Sequence, residues 1–198
     1  MKVYFARELD REWKRRAVIA AAAFLLVLSG CAGRAQRARE EELAREIQQS
    51  GSMSKAEAER YARLMTQVIY EDQGISGVDA QWLLSTTEAA GTSEQKYQRM
   101  QSAGCVFMAL RPQRIPLAAR DSVFKFAAKL ATYSDPAVKD ENITSFQYMA
   151  CNIFRNLGDS RALPYVNLLC ASTSPIVRTR ARHDIRLFTH HLRPGEAP

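Results

Sequence analysis

The chain has 198 residues, 46% of them hydrophobic, with 28 basic against 21 acidic side chains and a net charge of +7. Residues 1–30 hold six of the bases (Lys2, Arg7, Arg11, Lys14, Arg15, Arg16) and three of the acids (Glu8, Asp10, Glu12), so the rest carries 22 against 18, or +4. That is mildly basic and does not demand a polyanionic partner, and the length from residue 31 onward suits one ordinary domain with its own core.

The first element is a leader. Lys14, Arg15 and Arg16 precede an unbroken apolar run from Ala17 to Leu28. The run is about a dozen residues, short of the roughly 18 that a membrane-crossing helix requires. Small residues follow, as a cleavage site requires, and then a cysteine: Leu28-Ser29-Gly30-Cys31. The segment resembles the signal peptide and lipobox of bacterial lipoproteins. The resemblance implies that residues 1–30 are removed and that Cys31 becomes an acylated N-terminus anchored by two or three chains, since one chain binds only marginally. It also implies an envelope location facing the periplasm. Ala32, where an aspartate would signal inner-membrane retention, directs the protein to the outer membrane in a Gram-negative host. The front before the apolar run is long and carries Glu8, Asp10 and Glu12. A long n-region accounts for it, as does a start placed upstream of the true one.

Residues 31–53 then read as the lipidated cysteine and a charged tether. The stretch is rich in helix formers, Glu41 and Arg45 stand at mutually supporting spacing, and only Leu43 and Ile47 offer an apolar stripe. It suits a frayed helix or a disordered spacer. Residues 54–115 form an N-terminal helical segment. Ser54 and Glu57 make a capping box, and Tyr61, Leu64, Met65, Val68 and Ile69 repeat at helical spacing. Gly74 and Gly77 end that helix. Asp79 is expected to cap a short one carrying Trp82, Leu83 and Leu84 and closed by Gly91. Thr92 or Ser93 starts the next, with Tyr97, Met100, Gly104, Phe107 and Met108 inward, until Pro112 stops it. Pro116 suits the first turn of a further helix bearing Val123, Phe124, Ala127 and Leu130. No stretch alternates as a strand does, so the fold class is all-α.

Residues 116–198 carry an echo. Asp135-Pro136-Ala137-Val138-Lys139 returns 39 residues later as Ser174-Pro175-Ile176-Val177-Arg178, each a capping residue, a proline, then apolar and basic residues. A period near forty suits a helical solenoid. Gly158-Asp159-Ser160-Arg161-Ala162-Leu163-Pro164-Tyr165-Val166-Asn167-Leu168-Leu169, with Val177, Arg178, Ala181 and Ile185 after the turn, resembles a HEAT repeat. The match is good over about 158–188 and partial over 120–157, where Asn142 stands in place of the family's alanine. The resemblance implies a short α-solenoid of antiparallel helix pairs. Such a stack buries one face of each pair against its neighbours and offers surfaces that bind proteins. Some proteins with similar repeats attach tetrapyrroles to protein partners, so an enzyme accessory is an alternative.

Chemical signatures are sparse. Arg178, Arg182 and Arg186 stand at i, i+4 and i+8 as a basic stripe, widened by Arg180, His183 and Arg193. It is a candidate surface for an anionic lipid or glycan, or for a partner, and equally the polar face that a terminal repeat requires for solubility. His183, His190 and His191 lack a metal-ligand pattern. Ser93-Glu94-Gln95-Lys96 spells S-x-x-K without the companion elements of penicillin-binding enzymes, so it reads as a helix start. Cys105, Cys151 and Cys170 sit in apolar contexts and allow one disulfide with a free thiol or, more simply, three packed thiols. No catalytic residue, metal, cofactor, small-molecule substrate or nucleic-acid partner is expected. The sequence therefore points to a non-enzymatic scaffold or accessory subunit. Its expected partners are the membrane, through Cys31, and an envelope protein.

Overall fold

A computed structural model describes residues 32–49, 53–89, 91–135 and 138–190. The leader, Cys31, Pro136, Ala137, His191 and Arg193 lie outside the described residues. Those described form eight α-helices and three 3₁₀ turns, with no strand among them. The all-α expectation holds. In chain order the helices are α1 (Ala32–Gln49), α2 (Lys55–Ile69), α3 (Gly77–Glu88), α4 (Ser93–Ala109), α5 (Arg120–Ala131), α6 (Asp140–Leu157), α7 (Leu163–Leu169) and α8 (Pro175–His190). No helix among the described residues is long and apolar enough to cross a membrane.

The chain divides into residues 1–42 and 43–198. Of the first unit only residues 32–42 are described, and they are helical. The second starts earlier than the capping box suggests. Ala44 and Met53 are buried, and Ile47 packs against the core.

Local chemistry sets the helix ends. Ser54 and Glu57 close the expected capping box on α2, with the Ser54 N–H donating to Glu57 Oε2 at 2.8 Å. Thr92 and Gln95 form a second one on α4, which makes Thr92 the cap and Ser93 the first helical residue. At α3 the expectation is corrected. Ser76 is the cap, Gly77 the first helical residue, and the Asp79 N–H donates to Ser76 Oγ at 3.0 Å. Serine one turn upstream does what aspartate was expected to do, because Asp79 is drawn into an ion pair with Arg60 at 2.8 Å. Gly91 does not close α3 either, since the helix ends at Glu88 with Ala89 as cap. Pro116 precedes a 3₁₀ turn (Leu117–Ala119), and α5 begins only at Arg120.

Gly158 ends α6 in the left-handed region, φ +62°, and donates its N–H to Phe154 O. An added Cβ there meets nothing within 4 Å, so the cost of substitution is conformational alone. Gly158→Ala is expected to destabilise the fold by about 1 kcal/mol, read as a lowered urea midpoint. An unchanged midpoint would show that this turn tolerates a Cβ.

Packing follows a simple rule. Helices pack on the next in sequence (α3 on α4, α5 on α6, α7 on α8) and on the next but one. The second kind of contact joins α3 to α5 and α5 to α7 in one row, and α2 to α4, α4 to α6 and α6 to α8 in another. Aromatic rings stitch the rows: Tyr97 and Tyr133 meet Phe146 at 5.1 and 4.9 Å, and Phe124 and Tyr165 meet Phe154 at 5.5 and 5.6 Å. At Gly104 a Cβ would come within 2.7 Å of Met149 Sδ, so glycine lets α4 approach α6 closely.

The helices of the first row are regularly spaced, at a step other than 39. The first-row helices begin at Gly77, Arg120 and Leu163, a step of about 43 residues, within the range for helical repeats. The 3₁₀ turns Leu117–Ala119 and Ser160–Ala162 keep the same step. So does burial: Ala80, Val123 and Val166 are all fully buried, and Leu83, Phe126 and Leu169 nearly so. The proline echo aligns positions that differ. Pro175 is the first residue of α8, whereas α6 starts at Asp140, after Lys139, beyond the residues that match it. The connection between α5 and α6 is longer than the one between α7 and α8, which places the two prolines differently against their helices.

Candidate interaction surface

The three arginines of the expected basic stripe share one flank of α8 but not one environment. Arg178 is half-buried and turned back on its own connection, donating to Ser172 O and Thr173 O at 2.7 Å each. It satisfies carbonyls beyond the end of α7. Arg182 and Arg186 are exposed, as is His183. The buried face of α8 runs Val177, Ala181, Asp184 and Phe188.

Asp184 was not singled out from the sequence, although its place in that apolar stripe was the available signal. Its side chain is 0% exposed. Oδ2 accepts from Arg180 Nε at 3.2 Å, while Oδ1 has no hydrogen-bond partner. Arg180 also donates to Asn152 Oδ1 on α6 at 2.7 Å. Burial pushes the Asp184 carboxyl above the usual range, and the charges of Arg180 and Arg155 offset this only in part. Cys151 lies beside this network, its thiol pushed up to about 12 by burial and by the Asp184 charge. Such a thiol is a poor nucleophile. Cys105, Cys151 and Cys170 form no disulfide in this structure, Cys151 being buried and the other two half-buried.

A second charged network joins α2 to α3. Arg60 pairs with Asp79 at 2.8 Å and lies over the Trp82 ring at 4.3 Å from its centroid. Burial works to raise the Asp79 carboxyl, and the hydrogen bonds from Arg60 and Ser76 outweigh it, holding it below its ordinary value. The Tyr61 hydroxyl shares a 2.6 Å hydrogen bond with Thr86 and is pushed up to about 12 by burial. These contacts position helices. None converges on an open space where a substrate atom would sit.

Two concavities border α3 and α5, and the second also takes in α4. One, of about 330 Å³, runs between α3 and α5 over Leu84 and Phe126, with Gln81 and Ser85 on one wall and Ser122, Lys125 and Lys129 on the other. The second, of about 420 Å³, adjoins it and is lined by Lys96, Met100, Tyr133, Ser134 and Asp135. Thr87, Glu88 and Lys129 line both, so the Lys129–Glu88 ion pair, 2.7 Å long, stands where they meet. Sequence reading missed this groove because no single helix contains it. Lys125 and Lys129 at i, i+4, or Gln81 and Ser85 at the same spacing, look like any solvated face until α3 and α5 lie side by side.

Among the described residues no group of three or more His, Cys, Asp or Glu side chains is placed to hold a metal ion. Ser93 is a helix-start residue and does not line either concavity, although Lys96 lines the second. The fold and this groove define an all-α protein with an open amphipathic surface. No family model, curated protein or solved structure matches the chain.

Proposed function

We propose that this chain is a lipoprotein of the bacterial cell envelope, anchored through acylated Cys31, whose folded unit is a short HEAT-like α-solenoid that binds a protein partner. The observation that carries the solenoid is the recurrence of turn, helix start and buried positions at a step of about 43 residues, together with packing between next-but-one helices. Leu28-Ser29-Gly30-Cys31 supports the address. Stacked helix pairs offer grooves and surfaces that suit binding a protein partner.

Within the first row, the same step sets the buried Phe124 of α5 against the exposed Asn167 of α7, so an apolar position of an inner pair is polar in the last, as a terminal repeat requires. The anionic-lipid or glycan alternative rests on Arg182 and Arg186, because Arg178 serves loop carbonyls.

The test is affinity purification from membranes, with wild type beside Cys31→Ala. The expected result is that wild type co-purifies with a defined set of envelope proteins and that Cys31→Ala leaves the membrane fraction and loses them. Recovery of the wild-type chain alone, under conditions that preserve known membrane complexes, would contradict the scaffold.

A further inference from the structure

We infer that the exposed face of α8 rests on the membrane surface, where Arg182 and Arg186 bind the phosphates of anionic phospholipids and Ile176 and Leu187 enter the boundary between headgroups and acyl chains. The inference rests on the proposed anchor, which holds the folded unit beside the bilayer, and adds which face turns to it. Charge is distributed unevenly along the chain. Residues 31–141 balance fifteen bases against fifteen acids, whereas residues 142–198 hold seven arginines against Asp159, Asp184 and Glu196. The whole surplus of +4 after the leader therefore belongs to residues 142–198. Two of their three acids are engaged: Asp159 pairs with Arg161 at 2.7 Å, and Asp184 is buried against Arg180.

The surplus survives a count of the helices packed on α8, which are α6 and α7. α7 has no charged residue, and α6 has Asp140, Glu141 and Arg155. Hydrogen bonds of Ser172 with Gln147 and of Arg180 with Asn152 set α8 parallel to α6. Asp140 lies twelve residues before Asn152, and Arg182 two after Arg180, so about 20 Å of helix axis separates the two charges, beyond the ~8 Å over which salt leaves exposed charges coupled. Arg155, three residues after Asn152, adds its charge at the near end. Opposite the buried Val177, Ala181, Asp184 and Phe188, the exposed side of α8 has two edges. Arg182 and Arg186, at i and i+4, form one, and Ile176, His183 and Leu187, at i, i+7 and i+11, form the other, with Ile176 47% and Leu187 37% exposed. Arginines beside exposed aliphatics suit a helix that lies in the membrane interface, and the guanidinium fork matches phosphate with two N–H donors. Neither concavity described above is lined by α8, so this face fits a surface better than an inserted protein segment.

The experiment uses the full chain purified from its own membranes and reconstituted into vesicles of phosphatidylcholine, alone or with about one third phosphatidylglycerol. The photoreactive residue benzoylphenylalanine replaces Leu187 on α8 or, separately, Val78 on α3, which is 74% exposed and serves as the control. Crosslinked peptides are identified by mass spectrometry. The expected result is a Leu187 crosslink to lipid in the anionic vesicles, with a yield about tenfold lower in neutral vesicles, in high salt, or with Arg182→Gln and Arg186→Gln together. Ile176→Glu, which sets an acid on the apolar edge, is expected to lower it equally, and circular dichroism confirms that the variants fold. A yield that is the same in both vesicles, the same at Val78, or unchanged by loss of the arginines overturns the inference, as does the absence of any lipid crosslink from a chain that stays with the vesicles. In those outcomes the anchor stands. A chain that does not stay with the vesicles overturns the anchor and the inference with it. A Leu187 crosslink to protein instead of lipid in the original membranes overturns the lipid occupant and leaves the scaffold standing.

Discussion

Phe154→Ala is expected to remove about 3–5 kcal/mol of stability, read as a fall in the urea midpoint with an unchanged slope. Phe154 is fully buried in α6, with Phe124 of α5 at 5.5 Å and Tyr165 of α7 at 5.6 Å between ring centroids. It therefore joins one helix pair to the next. Truncation leaves a cavity whose walls belong to three helices, and the rigid backbone around it closes only partly. Because stacked repeats stabilise one another through such interfaces, the unfolding curve of the variant should remain a single transition. A loss under about 1 kcal/mol would show that Phe154 is not the bridge between pairs that the ring contacts indicate. A two-step curve would show that the pairs fold independently.

Arg180→Ala is expected to cost about 3 kcal/mol at pH 7, the lower end for breaking a buried pair because Arg180 is itself 20% exposed. It leaves Asp184 buried with no cation at hydrogen-bond distance, and it strips a donor from Asn152. The pH dependence has a definite sign. The folded Asp184 carboxyl already lies above its unfolded value. Its contribution is therefore fully present below the unfolded carboxylate range and is lost as pH rises through the folded value. Without Arg180 the folded value rises further, so the cost of the substitution should shrink between pH 7 and pH 4. Arg155 and His183 also act on Asp184, but both remain in each variant and largely cancel in the difference. Arg180→Ala with Asp184→Asn should recover most of the loss, since the neutral amide removes the buried charge. Denaturation of the two variants at both pH values tests this. A cost that does not change with pH, or no recovery in the double variant, would mean that Arg180 acts through packing alone.

Much of the fold was legible because its signals are local. The Ser54–Glu57 capping box, the stripe of Tyr61, Leu64 and Val68, and the break at Pro112 each depend on neighbours within a turn or two, and each stands where the sequence places it. The spacing of the first-row helices was not legible: Pro136 and Pro175 announce themselves in a sequence, whereas that spacing shows in Ala80, Val123 and Val166, three small or branched residues that share only burial. Asp79 misled for a related reason. A carboxylate near a helix start is a fair cap until Arg60, nineteen residues upstream, claims it and Ser76 takes its place. The candidate surface was the least legible part. Arg178 belongs to a visible stripe but bonds to carbonyls of its own connection. Lys125, Lys129, Gln81 and Ser85 gain meaning only when two helices 43 residues apart in their starts lie side by side, a relation that periodicity along one helix does not contain.

The mature N-terminus at Cys31 is the measurement that tests the proposed anchor most directly. Intact-mass and peptide mass spectrometry of the protein purified from its own cells should find a chain that begins at Cys31, with a diacylglyceryl group on the thiol and residues 1–30 gone. A chain that retains residues 1–30, with Cys31 as an unmodified thiol, would contradict the envelope anchor and with it the proposed setting of the scaffold.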